Sequence, residues 1–390
     1  MQQSDVRVLF AFFKSAISGE PAPEDVLREY SPDSLPSMIK IASKHDLAHL
    51  LAQGLKNNGL MPDDPAAEKA IFKAIYRYER LKHEYDKICA AFEKAKIPYM
   101  PLKGAIMREY YREPWMRTSS DIDVLVKESD LERAAEVLVS ECAYKHGNKG
   151  PHDIPLYAEN GVHIELHYSL IEDWFVNDSA QVLTDVWETA LVREKYDYFY
   201  EMTDELFYFY HVSHAAKHFE NGGCGIRSLL DLWILDSICP NNKDCRDALL
   251  NRGGILKFAN AVRHLAKVWF GDAYHTELTK ALEDYILQGG TYGDGKNRTI
   301  LQGAKKGGRF KYLISRIVLP YDKMKFHYPI LQKHPVLTPL MQVRRWCKLI
   351  FCGHLGRSTA EINYSFKVTD NEVKDTVKLL DSIGLLQNKK

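Results

Sequence analysis

The sequence has no excess of charge of either sign and no long apolar run. Its 390 residues carry 52 lysines and arginines against 52 aspartates and glutamates, so the formal net charge is zero. A balanced chain lacks the overall positive charge that draws non-specific binders to nucleic acid or anionic membranes, and leaves room only for local basic patches. No charge-free apolar segment approaches the ~20 residues that span a bilayer. The apolar stretch Ser228–Cys239 contains two aspartates and therefore predicts a buried helix.

Cysteine is also used sparingly and without a repeated spacing. The seven cysteines include two close pairs, Cys239 with Cys245 and Cys347 with Cys352, and neither pair has the Cys-x2-Cys spacing of a zinc knuckle. We expect free thiols in a reducing compartment. Residues Met1–Asp5 lack the basic stretch and apolar run of a secretory signal, so a cytoplasmic location is the expectation.

The length and the local patterns indicate an α+β protein of several units. A chain of 390 residues exceeds one ordinary domain, and its apolar fraction of 45% supplies ample material for a core. We predict an N-terminal helical region at 1–95, a small mixed β-sheet core at 96–200, a helical domain that closes the cleft at 201–335, and a C-terminal helical extension at 336–390.

Several local elements follow from apolar periodicity and capping signals. Apolar residues recur at helical spacing through Ser37–Leu60 and again through Ala66–Lys96. Ser129 is a candidate cap for the helix that follows it, and Thr369 with Glu372 forms a capping-box pattern. The segment Gly289–Gly308 is rich in glycine and basic residues, and we expect a mobile loop there.

Two acidic residues alternate with apolar ones in the stretch Asp121–Val126. On a strand, Asp121 and Asp123 leave the same face of the sheet, while Ile122 and Val124 point into a core. Two neighbouring carboxylates repel each other, and a divalent cation relieves that repulsion; oxygen ligands suit magnesium. The other interpretation is a solvated edge strand, which carries exposed acids without any ion.

A β-hairpin follows further along the chain. Asn160-Gly161, a strong signal for a tight turn, separates the apolar runs Leu156–Glu159 and Val162–His167. If this hairpin lies beside the Asp121 strand, Glu165 completes a cluster of three carboxylates. Such a cluster can hold two metal ions ~3.5–4 Å apart, an arrangement suited to displacement at phosphorus.

The same face of the second hairpin strand carries two histidines. His163 and His167 flank Glu165 at period two. For His163 a structural role with a satisfied hydrogen bond is the favoured interpretation. An alternative is that the two histidines and Glu165 bind zinc or iron for hydrolysis, although the Asp121 strand supplies no matching histidine.

Polar residues upstream of the acidic strand are candidates for contacting phosphate. Lys103-Gly104 follows a short apolar stretch and opens a helix, where glycine permits close backbone approach to a phosphate and lysine adds a point charge. Arg117, Ser119 and Ser120 immediately precede the acidic strand. A surface turn would look the same as Lys103-Gly104, and Arg117 could equally pair with one of the two aspartates.

A helical segment downstream adds histidines and an ion-pair candidate. His211, His214 and His218 fall on one side of a predicted helix, and Arg227 and Asp231 lie one turn apart on the next. These residues form either a polar seam between helices or a face that closes over a cleft.

Two basic segments nearer the C-terminus have alternative interpretations. The stretch 305–316 interleaves basic and aromatic residues, which is typical of RNA contacts and also of a solvated face. The helix expected at Met341–Phe351 carries basic residues that suit a membrane surface, but packing onto the core is its commoner fate.

These motifs together resemble a bacterial nucleotidyltransferase family related to the polymerase-β superfamily. The resemblance covers roughly residues 30 to 350, and its most specific features are the acid doublet and the Lys-Gly pair. The wider superfamily usually has Gly-Ser or Gly-Gly at the phosphate-binding turn, nearer to the doublet. The motifs that carry the resemblance are Met100–Gly104, Arg117–Val126, Ile164–His167, the residues His214, His218, Arg227 and Asp231, Tyr328–Pro335, and Arg344–Trp346.

The resemblance implies a fold, a reaction and roles for particular residues. It implies a nucleotidyltransferase core flanked by N-terminal helices and a C-terminal helical domain. Asp121, Asp123 and Glu165 would hold two Mg²⁺ ions, and Lys103 and Gly104 would form the phosphate-binding turn. The expected reaction moves a nucleoside monophosphate from an NTP, with ATP the expected nucleotide, to an acceptor hydroxyl of a small molecule, peptide, RNA or protein.

The resemblance also implies which residues contact the nucleotide, and it leaves one rival function open. The rival is a nucleotide-binding module that keeps the pocket but transfers nothing. The nucleotide-contacting residues are expected to be Lys103, Gly104, Arg117, Ser119, Ser120, His167, His214, His218, Arg227 and Asp231.

Overall fold

The structure of the protein is a computed structural model that describes residues 3–63, 65–171, 177–238, 242–291, 293, 295–305, 318–351 and 369–386. Its N-terminal part is helical, as predicted. The helices are α1 (Gln3–Ser18), α2 (Glu24–Leu27), α3 (Leu35–Lys44), α4 (Ala48–Asn57) and α5 (Pro65–Ala95).

The helical pattern through Ser37–Leu60 predicts one continuous helix, which is wrong, because two helices meet at Asp46. Asp46 has a positive φ of 58°, which a helix cannot accommodate, and α3 ends just before it. The Asp46 carboxylate accepts hydrogen bonds from Arg77 (2.7 Å) and from the Thr118 hydroxyl (2.9 Å). Contacts with residues distant in the chain accompany the break, and the local pattern gave no sign of them.

A five-stranded mixed sheet forms the centre of the α+β core. Its strands lie in the order β1-β2-β5-β4-β3. The pair β2–β5 is parallel and the other neighbours are antiparallel. The strands are β1 (Tyr99–Pro101), β2 (Asp121–Val126), β3 (Lys145–His146), β4 (Asp153–Tyr157) and β5 (His163–His167).

Helices and a short ribbon surround this sheet. Between β1 and β2 lies the short helix α6 (Gly104–Met107), and between β2 and β3 lies α7 (Leu131–Cys142). A second, two-stranded sheet pairs β6 with β7. The remaining elements of this part are α8 (Ser179–Leu183), β6 (Leu191–Val192) and β7 (Tyr200–Glu201).

The predicted hairpin is confirmed, although its turn differs from the expected one. Strands β4 and β5 pair antiparallel, and Gly161 has a φ of 81°, whereas Asn160 does not adopt a positive φ. The Asn160 side chain instead accepts a hydrogen bond from the Val162 N–H (3.1 Å) and donates one to Glu84 on α5 (2.7 Å). The turn is thus held partly by α5.

Ser129 does not cap the helix that follows it. It lies within a 3₁₀ turn, Glu128–Asp130, and its hydroxyl contacts the Asp130 carboxylate at 3.5 Å. The helix α7 begins after this turn, and Asp130 stands at its cap position without a side-chain capping bond. The extra turn displaces the hydroxyl from the position that a cap requires.

Helices make up the C-terminal half of the described chain. Their breaks fall at Asn221–Gly223 and Gly253–Gly254, as predicted. The labelled helices here are α9 (Asp204–Phe219), α10 (Ile226–Ile238), α11 (Lys243–Arg252), α12 (Leu256–Phe270), α13 (Glu277–Gln288) and α14 (Gly295–Lys305). Further helices span Tyr321–His327, Ile330–Lys333, Thr338–Phe351 and Asp370–Ser382.

Two predictions for this half have different outcomes. The mobile loop expected at Gly289–Gly308 is wrong where α14 lies, since Gly295–Lys305 is helical; residues 306–308 are outside the described chain. The capping box is confirmed: Thr369 Oγ1 accepts from the Glu372 N–H at 3.4 Å, and Glu372 accepts from the Thr369 N–H at 2.9 Å.

A large apolar core runs from α1 to the last helix. Phe10 on α1 stacks on Trp269 of α12 with ring centroids 4.2 Å apart, which ties the N-terminal helices to the C-terminal ones. The division into four regions stays a prediction. The cysteines among the described residues are free thiols, and none of the described helices combines the length and apolar character that a bilayer span requires.

Candidate active site

The parallel pairing of β2 with β5 brings the predicted acids together. The register opposes Asp121 to His163 and Asp123 to Glu165. Because opposed residues of adjacent strands project from the same face, the two aspartates share one face of the sheet with His163, Glu165 and His167. The hairpin therefore lies beside the acidic strand, as the predicted carboxylate cluster requires.

The ligand atoms form two overlapping groups instead of one three-carboxylate cluster. One group is Asp121, His163 and Glu165, and the other is Asp123, Glu165 and His167; within each, the ligand atoms lie within 4.8 Å of one another. Residues two apart on a strand are separated by about 6.6 Å along its axis, which keeps the two aspartates apart. Glu165 on the neighbouring strand reaches both groups.

Asp123 is the most enclosed of the acids, with 6% of its surface exposed. Lys103 Nζ donates to Asp123 Oδ1 at 3.1 Å, and His167 Nε2 lies 3.0 Å from the same oxygen. Burial alone would raise the pKa of Asp123, but the Lys103 ammonium and His167 hold it well below its usual range. The carboxylate is therefore ionised, and both contacts use Oδ1.

His167 links Asp123 to Glu165. Its Nε2 also lies 3.3 Å from Glu165 Oε2. Burial opposes protonation, but the hydrogen bonds to Asp123 and Glu165 raise the pKa of His167 to about 9. His163, by contrast, stacks on the Tyr157 ring and belongs only to the other group, so the two histidines do not surround one site as the hydrolase alternative requires.

Asp121 lies at the open end of the site. Burial raises its pKa, and the carboxylates of Asp123 and Glu165 raise it further. Only the Ser120 hydroxyl, 3.3 Å away, donates a side-chain hydrogen bond to it among the described residues. A group of oxygen ligands whose mutual repulsion is incompletely offset is a donor set that fits a divalent cation such as magnesium.

Lys103 and Gly104 form a tight turn between β1 and α6. Lys103 has a φ of 41°, a conformation that favours glycine and that costs a lysine about 1–3 kcal/mol. A Cβ on Gly104 would lie 3.1 Å from Arg117 Nη1 and 3.3 Å from Ser119 Oγ. The turn thus brings the Lys103 ammonium to Asp123 and packs the glycine against Arg117 and Ser119.

Arg117 pairs with Asp231 and with neither strand aspartate. Its Nη2 lies 2.9 Å from Asp231 Oδ2, and the Tyr111 hydroxyl donates to Asp231 Oδ1 at 2.7 Å. Burial opposes both charges, yet each partner stabilises the other, so the pKa of Arg117 is raised and that of Asp231 is lowered. Asp231 lies behind Arg117, in a position to orient it and outside the cavity lining.

The helices α9 and α10 face the strands from the other side. The Nε2 atoms of His214 and His218 are 3.3 Å apart, and burial together with the Lys103 charge lowers the pKa of His214 well below its usual value. Arg227 donates to the Thr118 carbonyl oxygen at 2.8 Å. This seam places two imidazoles opposite the carboxylates.

His211 does not join this pair at the site. Its ring packs against Phe207, with Nδ1 3.3 Å from the Phe207 carbonyl oxygen, and burial lowers its pKa to about 4. A spacing of three residues thus leaves His211 in the helix seam and His214 at the cavity.

Most of the strand, turn and helix residues described above line one cavity of about 340 Å³. It contains every predicted nucleotide-contacting residue except Asp231. We call it the polar cavity, and its lining consists of Lys103, Gly104, Arg117, Ser119, Ser120, Asp121, Asp123, His152, Glu165, His167, His214, Lys217, His218 and Arg227.

Two of these residues were not predicted from the sequence. His152 precedes β4 and stacks on His167 with ring centroids 5.9 Å apart; no local motif marks it. Lys217 lies three residues after His214 on α9, so helical spacing alone was the signal that could have found it.

A model of one protein family matches the chain. The family described as "Uncharacterised nucleotidyltransferase" matches residues 32–271, which is more than half of the chain and includes every residue that lines the polar cavity. No curated protein and no solved structure matches the chain significantly.

Proposed function

The chain belongs to this uncharacterised nucleotidyltransferase family, and on that premise we propose that it transfers a nucleoside monophosphate from an NTP to an acceptor hydroxyl. The reaction releases pyrophosphate, and the core works as one of the polymerase-β type. The expected nucleotide is ATP. The acceptor class stays open, because a small molecule, a peptide, an RNA or a protein side chain is compatible with the same site.

One observation carries the proposal. The parallel register of β2 and β5 sets three carboxylates on one face, and the Lys-Gly turn, Arg117 and the serines adjoin that face within the polar cavity. Phosphoryl-transfer sites depend on positioning and charge stabilisation, with little covalent work by the protein. Such a site needs two components: carboxylates that bind metal ions, and positively charged side chains beside them that bind the phosphates.

The carboxylates fit magnesium by their oxygen chemistry. Asp121, Asp123 and Glu165 would hold up to two Mg²⁺ ions, with Glu165 common to both positions. Magnesium bound there supplies charge neutralisation for the triphosphate and lowers the pKa of a bound hydroxyl. His167 keeps Asp123 and Glu165 oriented through its contacts with both.

The remaining residues act on the phosphates and on the proton. Lys103, Gly104, Ser119 and Ser120 orient the triphosphate along the turn, and Arg117 offsets the charge that develops on the departing pyrophosphate. Glu165 would either hold the second metal ion or accept the proton of the acceptor hydroxyl, since it is half-buried and reaches both ligand groups.

The helical side supplies the remaining nucleotide contacts in this proposal. His214, His218 and Arg227 line the cavity opposite the strands and are placed to contact base or ribose. Asp231 contributes indirectly, because it holds Arg117 and lies outside the cavity lining.

The test is transfer of label from each α-labelled NTP to fractions of a cell extract, with pyrophosphate release measured in parallel. We expect one fraction to carry label, and we expect the Asp123→Asn variant to transfer it about a thousandfold more slowly. Pyrophosphate release by that variant at the wild-type rate would contradict the assignment of Asp123 to the proposed metal site. Calorimetric NTP binding without turnover against any fraction would instead favour the nucleotide-binding module.

A further inference from the structure

Arg108 is a buried cation without a carboxylate partner among the described residues. It begins the 3₁₀ turn Arg108–Tyr110 directly after α6, and 6% of its surface is exposed. Its Nε donates to the Arg117 carbonyl oxygen at 3.3 Å, and its Nη2 donates to Ser119 Oγ. Both acceptors are neutral groups.

Other buried arginines of the protein have carboxylates within ion-pair distance. Arg117 lies 2.9 Å from Asp231, Arg246 lies 2.8 Å from Asp236, and Arg263 lies 2.7 Å from Asp247. A charge buried without a counter-ion is strongly destabilising, so proteins normally pair or expose it. Burial and the neighbouring Arg117 lower the pKa of Arg108 to about 10, and the group still remains charged at neutral pH.

Arg108 is separated from the polar cavity by one layer of side chains. Ser119 accepts the Arg108 bond, donates to the Asp121 carbonyl oxygen at 3.1 Å, and lines the cavity. Gly104, which packs closely against Ser119 because it has no side chain, lies on the same wall. The Arg108 charge, which Asp121 attracts only from beyond ion-pair distance, therefore lies behind the wall at which the proposed function places the phosphates.

We infer that Arg108 is a positioning residue for polyphosphate, with a positive charge that is matched when a nucleoside triphosphate binds in the polar cavity. The inference rests on the proposed function. Arg108 acts through Ser119, because the Arg108 bond fixes the serine hydroxyl against the β2 backbone, and it adds attraction for anions across a short, poorly hydrated distance. Arg117 is already paired with Asp231, so its charge is partly compensated before a nucleotide binds.

The experiment compares three variants with inorganic tripolyphosphate as the probe. In Arg108→Met the charge is lost, in Arg108→Lys it is kept, and Arg246→Met is the control, since Arg246 is equally buried at 6% exposure and pairs with Asp236 outside the cavity lining. Binding of tripolyphosphate and of orthophosphate is measured by calorimetry in the presence of Mg²⁺, and the melting temperature of each free protein is recorded.

The expected results separate a charge-supplying role from a structural one. Arg108→Met weakens tripolyphosphate binding by about tenfold or more and orthophosphate binding by much less, because the attraction grows with ligand charge. Arg108→Lys loses less than about threefold. The melting temperature of free Arg108→Met does not fall, whereas that of Arg246→Met falls because Asp236 is left without its partner.

Two outcomes would overturn the inference. One is wild-type affinity for tripolyphosphate in Arg108→Met, and the other is loss of stability or of folding in Arg108→Met comparable to that in Arg246→Met. Pyrophosphate release by the wild-type protein is measured separately. Its absence counts against the proposed function alone, since tripolyphosphate binding requires no transfer.

Discussion

Two cavities of the molecule differ in both size and chemistry. The polar cavity measures about 340 Å³, whereas the cavity beside α1, α12 and α13 measures about 820 Å³ and is lined in part by Phe10, Trp269 and Glu283. In the smaller cavity, burial would raise the pKa of Asp123, but Lys103 and His167 lower it. In the larger one burial raises the pKa of Glu283.

The proposed site is the cavity in which compensated charges converge, and it is the smaller of the two. The family match covers the whole lining of the polar cavity but neither α1 nor α13.

The largest expected effect tests this contrast through activity. Asp123→Asn removes one carboxylate charge from the proposed metal site and should lower the rate of pyrophosphate release by about three orders of magnitude, since such charge stabilisation is worth several kcal/mol. Glu283→Gln, the matched change in the larger cavity, should leave the rate within about twofold of wild type. Steady-state pyrophosphate assays of both variants make the comparison, and equal losses in the two would break it.

The second prediction concerns the ion pair behind the polar cavity. Asp231→Asn leaves the buried Arg117 without its counter-charge and should lower the free energy of unfolding by roughly 3–5 kcal/mol. Urea denaturation measures the loss. Tyr111→Phe, which removes a neutral donor to the same carboxylate, is the milder control and should cost about 1 kcal/mol. A loss no larger in Asp231→Asn than in Tyr111→Phe would show that the pair contributes little.

The third prediction uses pH. His49 is buried, its Nε2 lies 2.8 Å from the Met116 carbonyl oxygen next to Arg117, and burial lowers its pKa to about 4. Because the unfolded histidine takes up its proton near pH 6.5, stability is lost as the pH falls from there towards 4, by up to about 3 kcal/mol.

Urea midpoints at pH 7 and pH 5 test this sensitivity. His49→Gln should show a smaller decrease between the two pH values than the wild type. Some decrease should remain, because burial also lowers the pKa of His45 to about 4. An unchanged decrease would contradict the assignment.

The smallest effect is expected in the larger cavity. Glu283 accepts a hydrogen bond from Trp269 Nε1 at 2.6 Å, and glutamine keeps that acceptor while it removes the charge. The raised pKa means that ionisation of Glu283 opposes folding once the pH rises above the unfolded value near 4.5. Glu283→Gln should therefore raise the free energy of unfolding at pH 7 by about 1 kcal/mol or less, which urea denaturation measures. This gain in stability should shrink as the pH falls towards 4. A loss of stability at pH 7 would count against it.

The parts of the fold that local pattern determines were predictable. Strand β2 spans Asp121–Val126, the predicted residues, because acid and apolar residues alternate at its start and an apolar run completes it. The hairpin followed from Asn160-Gly161. Where long-range contacts override propensity the predictions failed, as at Asp46, which breaks a periodic helix while bonding to Arg77 and Thr118.

The candidate site also contains residues that local pattern predicts and residues that only long-range packing places. The acids were predictable because period two places them on one face. The partner of Arg117 and the position of Arg108 depend on packing between distant elements, and sequence spacing contains no such information. The stretch 305–316 lies outside the described residues apart from Lys305, so its RNA interpretation stays a prediction.

The parallel register of β2 and β5 also constrains how the protein folds. Two parallel neighbours cannot be joined by a tight turn, and the connection between them contains α7, β3 and β4. Bringing Asp123 to Glu165 therefore closes a loop of some forty residues, at an entropic cost of about 3 kcal/mol. The acidic residues should consequently meet late in folding, after the intervening segment has compacted, and a fragment that ends before β5 would lack the pocket altogether.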